Sequence, residues 1–423
     1  MPAAVVLSHA DDRLRLAITA PEALPNAVVA GDPCFDRMRA SRHLRHTYRA
    51  ALGATDDTTI VTVSSTWGPG SLLGQHPDLI NDLLSELTLD GHILAAIVHP
   101  NVWFAHGPLQ LRTWLGDALR SGLRLIPPVS GWQQAVLASD IMIGDHGAVT
   151  SYAAAHGIPT VLAAFPRAEV ATGSAADLLG ELAPTLHPSQ PLPDQLARAI
   201  TTHDSVRMRA VTSLATSRPG ACLDALRSTF YELLNLTEPD RPAPEFPYAA
   251  DDLTPTTAPM LACWVACEPD LDYPGAPTVR IRRWPADVTA RRQRGHRTTD
   301  ACLVVHEDHP RRDLNRNADI VVVSPRPGLD TDEHLRRTLR QRPSCSVTVA
   351  EVGPGRIRLC HRDGGLSEAI MPNARIAPMP TACLAAAAHT VALSGAAGRG
   401  TVTMLIGDRR ITFTRKDIGT GTR

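Results

Sequence analysis

From Thr59 onward the hydrophobic positions fall into short solid runs, separated by stretches in which apolar residues recur every three or four places. The runs "TIVTVSS", "GHILAAIV", "LRLIP", "DIMIG" and "PTVLAAF" read as strands. The stretches between them, "PDLINDLLSEL", "PLQLRTWLGDALRSG", "GWQQAVLAS" and "AVTSYAAAHG", read as amphipathic or small-residue helices. Strand and helix in alternation with short loops predict βαβ units, hence an α/β, Rossmann-like parallel sheet covered by helices on both faces.

After Pro166 the pattern turns helical, in "AADLLGELAPTL", "PDQLARAITTH" and "GACLDALRSTFYELLNL", and stops near Leu236. Residues 237–299 are rich in Pro, then in Arg, and predict a linker. Residues 300–423 predict a smaller α/β domain of unassigned role. Its strands are "DACLVVHE", "ADIVVVS", "SCSVTVAEVG" and "RIRLCHR", its helices "DEHLRRTLRQR" and "TACLAAAAHTVALSG", and its end a hairpin turning at Gly407-Asp408. The main lobe is expected over 31–236.

Composition narrows the function classes. The chain has 423 residues, enough for two cores, and a formal net charge of -1 that gives no overall field for nucleic acid or an anionic membrane. Its only Lys is Lys416, so the basic residues are almost all Arg, as in a GC-rich coding bias. The eight Cys are scattered, and "CWVAC" lacks a second Cys or His pair, so neither a disulfide scaffold nor a zinc site is expected. No secretory leader or membrane-spanning run is visible, and a cytoplasmic protein is expected, with a peripheral position at the inner membrane face as one option.

Candidate chemistry gathers where a parallel sheet binds ligands, beyond the carboxyl ends of its strands. In "STWGPGS", Gly68 and Gly70 allow close backbone approach and Thr66 offers a hydroxyl, the makings of a phosphate cradle or of a plain strand-to-helix turn. In "GDHGAVTS", Asp145 and His146 stand at a strand tip, and Gly147, Ala148 and Thr150 open a helix whose N-terminus favours a diphosphate. The plainer role for Asp145 is to cap that helix. His99, held out of helical conformation by Pro100, is placed to donate to a phosphate or act as an acid, or else to serve as an ordinary structural histidine.

With these loops in view, the chain resembles the carboxy-terminal lobe of GT-B-fold transferases, and within them the CDP-glycerol glycerophosphotransferases that polymerise bacterial teichoic acids. "TW", "HP", "SD" leading to "GD", and "GIPTVL" carry the resemblance, with "VVAGDPCFDRM" similar to the segment that enters the second lobe; it covers Val28 to Leu236. The resemblance implies a nucleotide-activated donor as substrate, with no separate cofactor or metal. It places His99 at the donor phosphates, Thr66 in the phosphate loop, and Gly147, Ala148 and Thr150 at the diphosphate; the loops themselves add Gly68, Gly70 and Asp145 as binding candidates and His99 and His146 as catalytic candidates. It also implies a lipid-linked or polymeric acceptor. Residues 1–30 would be only a remnant of the amino-terminal lobe or a linker, with that lobe supplied either by a second chain or by a longer upstream reading frame.

The sequence departs from the family's pattern in places. Ile97 stands where an Arg is usual, Gly147 and Ala148 where paired Ser are usual, and Tyr152 and Ala153 where related sugar transferases carry a ribose-gripping Glu. A non-catalytic nucleotide-binding or protein-interaction module is therefore the alternative reading. The run "VRIRRWPADVTARRQRGHR" offers a third, nucleic-acid binding, against which the absence of any nucleic-acid fold signature argues.

Overall fold

The computed structural model describes residues 2–269, 278–288, 301–371, 384–389, 400–407 and 409–420. The chain divides into two compact units, one of residues 1–80, 93–114 and 123–257, the other of residues 81–92, 115–122 and 258–423.

The first unit opens with β1 (Val5–Leu7) and β2 (Ala27–Val29), a short parallel pair. Its main sheet contains β3 (Thr59–Ser65), β4 (His92–Val98), β5 (Arg124–Leu125), β6 (Ile141–Gly144) and β7 (Thr160–Leu162) in the order β5-β4-β3-β6-β7. This is the parallel α/β sheet the hydrophobic runs predict. Ile60 to Ser65 in β3 and all of β6 are buried, as central strands covered on both faces must be. Chain order runs outward from β3 to β5 and then returns to β6 on the other side of β3. The β3–β6 boundary is thus the switch point at which open α/β sheets form their ligand crevice.

Residues 237–257 are not a free linker. Tyr48 Oη donates to the Tyr248 carbonyl at 2.6 Å, Gln134 Nε2 donates to the Ala249 carbonyl at 2.8 Å, and Leu253 is buried in the core that includes Ile60 and Met142. A few well-spaced apolar anchors suffice to fasten an irregular segment, and no periodicity advertises them.

The second unit differs from the expected small α/β domain. Its described residues form a closed barrel of nine strands in the order β10-β11-β12-β13-β14-β16-β15-β9-β8. These are β8 (Ala262–Pro269), β9 (Thr278–Pro285), β10 (Ala301–His306), β11 (Ile320–Val323), β12 (Val347–Gly353), β13 (Arg356–His361), β14 (Gly365–Ile370), β15 (Gly400–Ile406) and β16 (Arg409–Thr420). The α/β character is confined to β10, β11 and β12, which are parallel and joined through helices Arg312–Asn317 and Thr331–Gln341.

β8 and β9 come from the expected linker. In β9, buried Val279 and Ile281 alternate with exposed Arg280 and Arg282, a period-two signal that the Arg content obscures. Arg283 meets Asp90 at 2.6 Å and Arg282 pairs with Glu268, while Trp264 faces Trp284 across the β8–β9 ladder. The rest of the Arg-rich run, 289–297, lies outside the described residues.

All nine strands send residues into one interior cluster, among them Val265, Ile281, Val304, Ile320, Val349, Leu359, Ala369, Met404 and Phe413. The helical residues 384–388, part of the expected "TACLAAAAHTVALSG" helix, are buried in that same cluster. The terminal hairpin forms as predicted, with Ile406 paired to Arg409; Asp408 of its turn lies outside the described residues. Among the described residues no cysteine is in a disulfide, no metal-holding cluster is found, and no helix is long and apolar enough to cross a membrane.

Candidate functional site

The site grows from the two ends of β6, "SDIMIGDHG". Asp140, just before the strand, accepts the Ile60 N–H at 2.8 Å and holds Arg45 and Arg49 at 2.6 and 2.7 Å. Asp145, just after it, is fully buried and accepts three backbone N–H groups: Thr66 at 2.8 Å, Leu72 at 2.9 Å and Gly147 at 2.9 Å. One carboxylate at each end therefore pins β6 to β3. Asp145 is a clamp whose two oxygens are filled by the protein, and not the N-cap of the following helix, which is Gly147.

The loop after β3 is likewise closed on itself. Ser65 Oγ accepts from Leu73 N and donates to the Thr66 carbonyl, and Ser71 Oγ accepts from Gly74 N and donates to the Gly68 carbonyl. Gly68 has φ +90°, the left-handed conformation that the turn needs and that glycine adopts at little cost. Thr66 stays partly open, and Trp67 beside it is 57% exposed.

The helix Ala148–Ala155 begins with no side-chain cap, and Ala148 is exposed at its start. Its first-turn N–H groups therefore receive no side-chain cap. Thr150 is placed otherwise than a ligand-binding hydroxyl. It is fully buried, its Oγ1 has no partner, and it packs so closely on Gly144 that a Cβ there would lie 2.1 Å from that oxygen.

His99 is the N-cap of helix Pro100–His106: its Nδ1 accepts the Asn101 N–H at 3.1 Å. A capping Nδ1 assigns the proton of the neutral ring to Nε2. The backbone N–H of His99 donates to the Ser65 carbonyl at 3.0 Å, so the β4 and β3 loops are joined as well. Across the sheet order, His99, Thr66 and Gly147 stand on three successive strand ends.

His146 reaches the other way. Its Nε2 lies 3.3 Å from Glu169 Oε2, and its buried Nδ1 has no partner. Glu169, in the turn Arg167–Glu169 after β7, escapes a reading of the sequence. Its position just past a strand's carboxyl end is the signal that could have found it. Gly70 makes room for it, since a Cβ there would stand 2.7 Å from Glu169 Oε1.

Other positions are committed to structure. Tyr152 Oη donates to Asp32 Oδ2 at 2.7 Å, and burial, followed by the Asp32 charge, pushes its phenol well above the usual range. Ile97 and Ala153 are both buried in the core of this unit.

No family model and no curated protein matches this sequence. Among solved structures, the chain is similar to the wall teichoic acid polymerase TagF, at 13% identity over 55% of this chain and 57% of that one, with a TM-score of 0.39. It is also similar to Anabaena Alr3699/HepE in complex with UDP and glucose, at 16% identity over 56% and 64%, with a TM-score of 0.33. A third is WaaG, a glycosyltransferase involved in lipopolysaccharide biosynthesis, at 12% identity over 53% and 61%, with a TM-score of 0.31. The match spans less than two thirds of each of these chains, and at such scores it assigns no donor, acceptor or reaction to this protein.

Proposed function

We propose that the first unit binds a nucleoside diphosphate at the β3–β6 switch point and serves as the donor side of a glycosyl- or glycerophospho-transferase. The observation that carries this reading is the Asp145 clamp. It fixes the Thr66 loop against the start of helix Ala148–Ala155, which has no side-chain cap, and takes up the N–H groups of Thr66, Leu72 and Gly147 in doing so. A preorganised helix start of this kind favours phosphate without a basic side chain. On this reading His99 Nε2–H donates to a donor phosphate, Gly68 and Gly70 shape the loop, and His146 with Glu169 supplies the proton-transfer candidate.

A second reading, a nucleotide-binding module without transfer, is favoured by the burial of Ile97 and Ala153 and by the commitment of Tyr152 to Asp32. Those positions then grip neither phosphate nor ribose. Titration calorimetry with CDP, UDP and cytidine tests the shared premise: the diphosphates bind more tightly than the nucleoside, and equal or absent binding of all three removes it. Incubation with radiolabelled CDP-glycerol or a UDP-sugar and a lipid-linked acceptor separates the two readings, since only a transferase releases nucleotide above background.

A further inference from the structure

Polar side chains join the interior of the barrel beside its apolar cluster. Along β13, Ile357 and Leu359 point into the interior cluster, and the two-residue alternation brings His361 to the same face. The same alternation carries Ser367 inward with Ala369 on β14, and Arg415 inward with Phe413 on β16. The buried helical residues 384–388 lead directly to His389, which is 9% exposed. The imidazoles of His361 and His389 are stacked with centroids 6.3 Å apart, and His361 Nε2 lies 2.9 Å from Ser367 Oγ.

The hydrogen bonding of this cluster is unbalanced. Arg415 Nε and Nη1 are buried without a partner, and so is His389 Nδ1. Among the described residues Arg415 has one acidic partner, Asp417, met by Nη2 at 3.2 Å and itself 58% exposed. A buried guanidinium with two unused N–H groups is costly in a low-dielectric interior unless an acceptor completes it. The Arg415 side chain is 14% exposed.

We propose that Arg415, His361, His389 and Ser367 form a binding site for a small oxyanion, the chemistry shared by a carboxylate and a phosphate group, beside the apolar cluster of the barrel. The oxyanion accepts from Arg415 Nε and Nη1 and from the His389 ring, in place of the acceptors that the protein does not supply. The site lies wholly in the second unit and is independent of the nucleotide site.

Charge gives the site a pH dependence. Burial, Arg415 and His389 lower the pKa of His361, with Asp363 and Asp417 opposing; burial and Arg415 lower that of His389, with Asp319 opposing. A bound anion reverses part of this repulsion, so both rings take up protons more readily when the site is filled, and binding is tighter at about pH 6 than at about pH 8.

The test uses the full chain and the NMR signals of the two histidine rings, which report this site and not the other unit. Inorganic phosphate and acetate are titrated separately, at about pH 6 and about pH 8, against a sodium chloride control of equal ionic strength. The expected result is saturable movement of both ring signals, with midpoints at lower anion concentration at the lower pH, and the comparison of the two anions identifies which group the site prefers. Arg415→Gln should raise the midpoint at least about tenfold. His389→Ala, read on His361, provides the same test should Arg415→Gln fail to fold. Ring signals that respond to neither anion beyond the chloride control, or that respond unchanged in both variants, would overturn the proposal.

Discussion

Asp145 accepts the Thr66 backbone N–H at 2.8 Å, which makes the loop after β3 and the loop after β6 one hydrogen-bonded body. The Leu72 and Gly147 bonds complete the set, so no donor of the clamp is left to water.

Asp145→Ala should therefore be among the most damaging single changes in the first unit. It strands three backbone N–H groups, one of them in a buried contact, at a cost of roughly 3 to 5 kcal/mol. Urea denaturation followed by circular dichroism measures it. A loss below about 1 kcal/mol would show that the loops hold together without the carboxylate.

His99 serves two purposes that substitution can separate. His99→Asn keeps a good N-cap while removing the Nε2–H, whereas His99→Ala removes both. Both variants should weaken CDP or UDP binding by about 1 to 2 kcal/mol, and only the alanine should also lower stability, by about 1 kcal/mol. Calorimetry beside thermal melts decides; nucleotide affinity unchanged in His99→Asn would leave His99 a cap alone.

Gly144 and Thr150 should be energetically coupled. A Cβ at 144 would stand 2.1 Å from Thr150 Oγ1 and 2.5 Å from Cγ2, so Gly144→Ala should cost roughly 1 to 3 kcal/mol or more through overpacking. Thr150→Ala removes those two atoms and leaves its own Cβ at 2.9 Å, so the double variant should recover part of the loss. A double-mutant cycle of stability measurements would show purely additive losses if the two side chains did not meet.

His156 gives the fold an acid-sensitive point. Its ring stacks on Phe35 at 4.5 Å with both nitrogens unpartnered, and burial, then Arg42 and Arg39, lowers its pKa from 6.5 to about 3. The unfolded chain binds this proton at the higher value and the folded chain only at the lower. Its contribution is therefore complete above pH 6.5 and is lost as pH falls towards about 3, by at most a few kcal/mol. His156→Phe should flatten that part of the stability–pH curve and change little at about pH 8. A curve of unchanged slope between those values would place the titration elsewhere.

The parallel sheet was legible because its strands are buried on both faces, so that runs such as "DIMIG" announce themselves without reference to their neighbours. The loops were legible for a related reason: a switch point is a property of strand order. What could not be read was which polar atoms would satisfy one another. Ser65, Ser71 and Asp145 offer acceptors in sequence, but only the folded loops show that Leu73, Gly74 and Leu72 take them. Glu169 was missed because its partner, His146, is 23 positions away and is brought near by the β7 crossing. The barrel was hidden for another reason. β9 pairs with β15, far along the chain, and its Val-Arg-Ile-Arg alternation carries so much charge that the period of two is masked.

The odd number of barrel strands has a kinetic consequence. A ring of nine cannot close through hairpins alone, because an alternation of up and down fails to return to its start. Parallel neighbours are obligatory, and one such pair sets β9 against β15, with Thr278 beside Thr403, roughly 125 positions later. That junction forms only after most of the intervening chain has been organised, so the final closure of the second unit should be slow and should wait for β15 and β16. Until then β9 presents an unpaired edge carrying Arg280 and Arg282, and like charges along an exposed edge are an ordinary means by which a waiting strand avoids other copies of itself.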